Sequence, residues 1–123
     1  MRALVVDDSR VMRMILRRLL NDLGYETAEA SGGREGLERL REMARPEVVL
    51  VDWHMPDMDG PEFVGAVRAA GDYDGVRIVM VTGEGGAAHA AAARQAGADA
   101  FLPKPPGPDA LRAALTSPAP ALV

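Results

Sequence analysis

The segment Val48-Val49-Leu50-Val51-Asp52 decides the fold class, because four consecutive apolar residues end in a single acidic residue. A short uninterrupted apolar run of this kind is typical of a strand that is buried on both faces of a parallel sheet. Two more runs have the same character, Ala3 to Val6 and Ile78 to Val81, and a shorter run spans Ala100 to Leu102. Tyr25 to Ala30 alternates in polarity, which favours an outer strand.

Helical patterns separate these runs. Apolar residues from Met12 to Leu23 recur at helical spacing, and Gly24 follows as a C-terminal cap. Four further helices are indicated by Leu37 to Met43, by Pro61 as a first helical residue, by the alanine-rich stretch Ala87 to Ala96, and by Asp109 as an N-cap. Strand and helix alternate five times, which predicts an α/β protein with a doubly wound five-stranded parallel sheet and helices on both faces.

Length and composition limit what the chain can be. Its 123 residues predict one domain, here residues 1–116, and the Pro- and Ala-rich segment 117–123 is expected to be a loose C-terminal tail. The net charge of −4 argues against a broad nucleic-acid surface, and no apolar run approaches the roughly 18 residues that span a bilayer. The absence of cysteine fits a cytoplasmic protein and excludes thiolate chemistry.

The residues that follow the predicted strands carry the functional signal. Asp7-Asp8 follows the first strand, Asp52 the third and Thr82 the fourth, and the fifth leads to Lys104, the only lysine. Parallel strands bring their carboxyl ends to one edge of the sheet, where ligands bind in open α/β folds. Clustered carboxylates repel one another and suit a hard ion, so the edge predicts a Mg²⁺ site that also accepts a phosphoryl group.

The chain resembles the receiver domain of bacterial response regulators, and it is similar to the stand-alone chemotaxis type. The resemblance rests on four segments that together cover residues 1 to about 116: Val5-Val6-Asp7-Asp8-Ser9, Val51-Asp52-Trp53-His54-Met55-Pro56-Asp57-Met58-Asp59-Gly60, Val81-Thr82-Gly83, and Phe101-Leu102-Pro103-Lys104-Pro105. It implies a flavodoxin-like sheet of strand order 2-1-3-4-5 with a cis bond between Lys104 and Pro105.

The resemblance also implies a role for each site residue. Asp52 would be the phospho-acceptor, and Asp7, Asp8, Asp52 and the backbone carbonyl of His54 would hold Mg²⁺. Thr82 and Lys104 would bind the phosphoryl group, and Phe101 would be the aromatic switch. The domain would catalyse only its own phosphorylation and dephosphorylation, and it would not be an enzyme acting on a separate substrate.

The resemblance names classes of partner as well. A histidine kinase or histidine phosphotransfer protein would donate the phosphoryl group, and an output protein would bind the face made by the fourth helix, fifth strand and fifth helix. The chain would be a monomer or a weak phosphorylation-dependent dimer. Neither nucleic acid nor a membrane is expected as a partner.

The sequence departs from the family pattern at positions that concern the dephosphorylation rate and the binding of the output partner. His54 stands where the chemotaxis type has Asn, and with Glu84 it is expected to tune the dephosphorylation rate. Phe101 replaces the frequent Tyr. Four prolines near the start of the fifth helix (Pro103, Pro105, Pro106 and Pro108) stiffen that segment and leave the output partner open.

Other interpretations of the same residues stay open. An interaction module could carry the pocket without using it, and a Mg²⁺-dependent phosphohydrolase could use Asp52 as nucleophile, although such enzymes have an acid two residues later, where this chain has His54. Arg10, Arg13 and Arg17 form a basic stripe on the first helix that is either a solvated face or a docking surface for an acidic partner. Asp57 and Asp59 are interpreted as ordinary loop residues.

Overall fold

The computed structural model describes residues 1–83 and 87–116, and it has the predicted alternation of strands and helices. The elements in chain order are β1 (Arg2–Val6), α1 (Arg10–Asp22), β2 (Glu26–Ala30), α2 (Gly33–Glu42), β3 (Val48–Val51), α3 (Gly60–Ala70), β4 (Arg77–Thr82), α4 (Ala87–Ala96), β5 (Ala100–Pro103) and α5 (Pro108–Thr116). Glu84 and the predicted tail, residues 117–123, lie outside the described residues.

The sheet confirms the predicted fold class. All strand pairs are parallel, and the order is β2-β1-β3-β4-β5. The four apolar residues of β3 are completely buried at the centre, because helices cover both faces of the sheet. The alternating strand β2 lies at an edge, as its polarity predicts.

Two apolar clusters hold the helices against the two faces. Side chains of β1 alternate between them, so that Leu4 and Val6 pack with Phe63 of α3, whereas Ala3 and Val5 pack with Leu16 of α1. The first cluster also includes α2 and α4, and the second includes α5. This two-layer burial fixes the strands and leaves their carboxyl ends open at one edge.

Helix ends follow the local chemistry with two corrections, the first of which is that α3 begins at Gly60, so that Pro61 is its second residue. Ser9 caps α1, and Gly24 adopts a left-handed conformation after it, with φ of +95°. The N-cap prediction for Asp109 is wrong, because α5 already begins at Pro108 and Asp109 lies in its first turn. Proline favours the first helical position, where its missing N–H is not needed.

Candidate functional site

Three strand ends bring buried polar residues to the carboxyl edge of the sheet. Asp7 follows β1, Asp52 follows β3 and Thr82 ends β4, with exposed fractions of 1%, 6% and 1%. Lys104 follows β5, and its backbone N–H donates to the carbonyl of Thr82 at 3.0 Å. The structure therefore brings together at one edge the residues that the sequence singled out from four different strands.

The acidic residues form a compact group. One carboxylate oxygen from each of Asp7, Asp8 and Asp52 lies within 4.8 Å of the other two. The ammonium of Lys104 is 2.9 Å from Asp7 Oδ2 and 3.0 Å from Asp52 Oδ2. Lys104 supplies one positive charge against three carboxylates, so the group keeps an excess of negative charge when all are ionised.

Hydrogen bonds satisfy this group only in part. The backbone N–H of Ser9 donates to Asp7 Oδ1 at 2.8 Å, and that of Trp53 donates to Asp52 Oδ1 at 2.7 Å. Asp7 Oδ2 is buried, and the contact that it makes is the ion pair with the ammonium of Lys104. The same ammonium also pairs with Asp52, so one positive charge is shared by two buried carboxylates and the group is suited to accept a further cation.

The donor set fits Mg²⁺. Carboxylate oxygens are the ligands that this small hard ion prefers, and Mg²⁺ is usually held by a few carboxylates together with waters and phosphate oxygens. Asp7, Asp8 and Asp52 supply such oxygens at close range, and Asp8 is exposed, so the group is open to solvent on one side.

Burial and charge shift the protonation of the central residues. Burial raises the pKa of Asp52 above its ordinary value and the negative charge of Asp7 adds to that rise, while Lys104 and the Trp53 N–H oppose it. Burial works against the charge of Lys104, but the attraction of Asp7 and Asp52 outweighs it and holds the pKa of Lys104 above its usual value. The pocket therefore keeps its ammonium and resists ionisation of Asp52.

Two further predicted site residues lie in the loop after β3 and in β5. His54 is exposed in the loop between β3 and α3, and Phe101 is half-buried in β5. The ring of Trp53 lies edge-on to Phe101, with centroids 6.3 Å apart, and to His89 of α4, with centroids 4.8 Å apart. The loop after Asp52 thus touches both β5 and α4. The peptide bond between Lys104 and Pro105 is cis.

Two interpretations of individual residues were incomplete. Asp57 and Asp59 are more than loop residues: Asp59 caps α3 in a capping box with Glu62, and the Asp57 carboxylate accepts hydrogen bonds from the first two backbone N–H groups of α2. The local sequence Asp59-Gly60-Pro61-Glu62 does carry the capping-box pattern. The contact of Asp57 with α2 has no comparable local signal.

The predicted arginine stripe is divided in the structure. Arg13 and Arg17 both turn to Glu29 of β2, and Arg13 also donates to the backbone carbonyl of Asp7 at 2.8 Å. Arg10 is exposed. The stripe is therefore neither a wholly solvated face nor a single docking surface, because Glu29 lies opposite two of its members.

Comparisons with known proteins agree with this geometry. The family model described as the response regulator receiver domain matches residues 3–116. Chemotaxis protein CheY1 of Helicobacter pylori is 42% identical over 113 residues, which cover 91% of each chain, and a CheY homolog of Campylobacter jejuni is 41% identical over 91% of this chain and 87% of its own. The crystal structure of Vibrio cholerae CheY4, obtained at low pH, superposes with a TM-score of 0.85 at 38% identity, covering 93% of this chain and 94% of that one.

Members of this family are signalling proteins rather than enzymes of the usual kind, and they bind Mg²⁺ at an acidic pocket. Within residues 1–83 and 87–116, none of the helices has the length and the apolar character of a membrane span. The sequence motifs, the strand order, the acidic edge and the match over residues 3–116 together establish that the chain belongs to the response regulator receiver domain family.

Proposed function

We propose that this protein is a phosphorylation switch of a two-component system, with Asp52 as the phospho-acceptor in a Mg²⁺-dependent reaction. The observation that carries the proposal is the acidic group at the sheet edge, in which the buried carboxylates of Asp7 and Asp52 share one ammonium and the carboxylate of Asp8 lies within 4.8 Å of both. Such a group is stabilised by a divalent cation, and a cation there attracts the oxygens of a phosphoryl group.

The position of Asp52 in the sheet favours it as acceptor. It follows the central strand β3, with the acids of β1 on one side and with Thr82 and Lys104 of β4 and β5 on the other. A phosphoryl group on Asp52 would therefore have Asp7 and Asp8 as metal ligands beside it, together with the His54 carbonyl that the family pattern assigns to the metal. On the opposite side it would meet a hydroxyl and an ammonium.

The chemistry is a transfer between two nucleophiles. The P–N bond of a donor phosphohistidine breaks as a P–O bond to a carboxylate oxygen of Asp52 forms, and the electron pair of the broken bond stays on the donor imidazole. Mg²⁺, when bound, screens the negative charge that the carboxylate and the phosphoryl oxygens would otherwise bring together. Lys104 and the Thr82 hydroxyl hold phosphoryl oxygens by charge and hydrogen bonding.

Phosphorylation would change the output face through direct contacts. It adds a charge of about −1.5 to −2 at Asp52, which draws Thr82 and Lys104 toward it. Phe101 would move as the aromatic switch, since it touches Trp53 next to the acceptor, and Trp53 also touches α4 through His89. These contacts support α4 and β5 as part of the surface, completed by α5, that an output protein would bind. His54 stands in the same loop, and with Glu84 it would tune the rate of dephosphorylation.

The phosphodonor would dock on α1. Apart from Met1, the exposed large apolar side chains of the described residues are Val11, Met14 and Ile15, with exposed fractions of 61%, 63% and 36%. Arg10 and Arg18 are exposed on the same helix, which also borders a groove of about 380 Å³. Helix α1 begins directly after Asp8 and Ser9 and so lies next to the pocket. A phosphodonor whose helical surface carries an apolar stripe bordered by acidic residues would therefore reach the pocket when it binds α1.

Acidic substitutions on α1 test this docking surface. Met14→Glu and Arg18→Glu are expected to lower transfer from autophosphorylated histidine kinases of the source organism by about tenfold or more, and to leave labelling by acetyl phosphate unchanged. Arg112→Glu on α5 is the matched control and should transfer normally. Normal transfer to the α1 variants would place the donor elsewhere.

Intact-mass measurement tests the proposed function itself. With Mg²⁺ and acetyl phosphate the protein should gain one phosphoryl group, and Asp52→Asn should gain none. Asp59→Asn is the matched control, because it removes a carboxylate from the same loop while Asn still serves as a helix cap. The fluorescence of Trp53, the only tryptophan, should respond to Mg²⁺.

The two alternative functions give different results in the same experiment. An unphosphorylated interaction module would show no mass gain with Mg²⁺ and acetyl phosphate. A phosphohydrolase would release many equivalents of phosphate from phosphate esters, which the proposed switch does not do. The presence of His54 two residues after Asp52, where such hydrolases carry an acid, argues against the second alternative.

A further inference from the structure

The loop from Asp52 to Gly60 is held at both ends. The backbone N–H of Gly60 donates to the carbonyl of Trp53 at 2.7 Å, which closes the loop at its base. A Cβ at Gly60 would lie 2.5 Å from the carbonyl oxygen of Asp52 and 3.0 Å from the Cα of Trp53, so only glycine allows this close approach. The loop therefore starts and ends in a fixed geometry beside the phospho-acceptor.

The outer part of the same loop rests on the first turn of α2. The Asp57 carboxylate accepts from the backbone N–H of Gly33 at 3.2 Å and from that of Arg34 at 3.0 Å. Helix α2 has glycine at its own N-cap, so no local side chain caps it, and Asp57 performs that function from 24 residues away. These hydrogen bonds hold the pKa of Asp57 below its ordinary value.

Two glycines make room for this contact. A Cβ at Gly32 would lie 2.7 Å from Asp57 Oδ1, and a Cβ at Gly33 would lie 2.8 Å from the Cβ of Met58. Both distances are too short for a larger residue: at Gly32 it would displace the Asp57 carboxylate, and at Gly33 it would displace Met58 at its Cβ. The pair Gly32-Gly33 and the pair Asp57-Met58 therefore form one packed contact between α2 and the loop.

We propose that Asp57 is a positioning residue of the metal site, which caps α2 from the neighbouring loop and so fixes the segment that carries the His54 carbonyl. This inference rests on the proposed function, because it concerns how firmly that loop presents its ligand to Mg²⁺. Groups that orient a metal ligand typically change metal affinity by about 10- to 100-fold when they are removed. Among the described residues, Asp57 belongs neither to the acidic group nor to the ion pairs of Lys104, so its effect would reach the site through the loop.

Magnesium titration of four variants, followed by Trp53 fluorescence, tests the proposal. Asp57→Ala is expected to weaken Mg²⁺ binding by about tenfold. Asp57→Asn keeps one acceptor oxygen and should recover part of the loss. Gly33→Ala disturbs the same contact from α2 with Asp57 intact and should weaken Mg²⁺ binding as well. Asp59→Ala is the matched control: it removes the cap of α3 from the same loop and should lower stability without changing Mg²⁺ affinity.

Amide hydrogen exchange without metal gives a readout that is independent of the ion. Asp57→Ala should speed exchange at the N–H group of Trp53, which bonds to Asp52 Oδ1. Asp59→Ala should affect mainly the first turn of α3. Unchanged Mg²⁺ affinity in Asp57→Ala, or an equal loss of affinity in Asp59→Ala, would overturn the positioning role. The proposed function would still stand if the wild-type protein were phosphorylated. A wild-type protein that neither bound Mg²⁺ nor accepted a phosphoryl group would overturn both, and unchanged exchange would show that Asp57 does not hold the loop.

Discussion

The two edges of the sheet each hold an acid beside a cation, but they differ in how completely the acid is satisfied. At the amino edge, Asp99 Oδ2 accepts from the Ile78 N–H at 2.8 Å and from Arg68 at 2.9 Å, and Arg68 also donates to the carbonyls of Gly97 and Tyr73. At the carboxyl edge, Lys104 faces Asp7 and Asp52 together, with Asp8 close by. An acid that is paired with one cation stabilises the fold, whereas an excess of acids over cations at one place is suited to bind a ligand.

Removal of the acid at the amino edge should cause the largest loss of stability. Asp99→Asn weakens the bond to the Ile78 N–H and leaves the half-buried Arg68 without its counter-charge, so we expect the free energy of unfolding to fall by about 2 kcal/mol. Urea unfolding measures this change. The Trp53 response to Mg²⁺ should stay as in the wild type, and a stability equal to that of the wild type would mean that the pair is not structural.

Removal of an acid at the carboxyl edge should instead increase the stability of the protein. Asp7→Asn relieves repulsion with Asp52 and Asp8 while Lys104 keeps its pair with Asp52, so without metal we expect the free energy of unfolding to rise by about 1 kcal/mol. The same urea experiment in the presence of a chelator measures it. A loss comparable to that of Asp99→Asn would show that the two edges do not differ in kind.

The stability should also depend on pH, through a smaller effect that again comes from the crowded acids at the carboxyl edge. Because burial raises the pKa of Asp52, the folded protein binds more protons than the unfolded chain, and stability falls as pH rises from the usual carboxyl range through the raised pKa. The Asp52→Asn variant lacks this loss, so its stability advantage without metal should grow over that interval. A wild-type-to-variant difference that stays constant with pH would contradict the raised pKa.

The sequence predicted the fold and the acidic edge because both follow from short-range patterns. Continuous apolar runs such as Val48 to Val51 reveal buried parallel strands, and the first polar residue after each run must lie at the same edge. The sequence alone therefore groups Asp7, Asp52, Thr82 and Lys104.

Contacts that depend on side-chain direction could not be predicted. Asp57 caps a helix that is 24 residues earlier in the chain, and Arg13 and Arg17 reach Glu29 on the edge strand β2. In each case the sequence shows only a charged residue on a loop or helix, and the packing of neighbouring elements decides its partner. Gly32 and Gly33 leave room for Asp57 and Met58, but this can be recognised only once the loop is known to pack on α2.

The free energy of unfolding as a function of Mg²⁺ concentration, compared between the wild type and Asp7→Asn, tests most directly whether the acid excess is a metal site. Without Mg²⁺ the variant should be the more stable protein. As Mg²⁺ rises, the wild type should gain about 2.7 kcal/mol at a hundred times its dissociation constant while the variant gains little, so the two curves cross. Curves that stay parallel over the whole range would contradict a Mg²⁺ site at this edge.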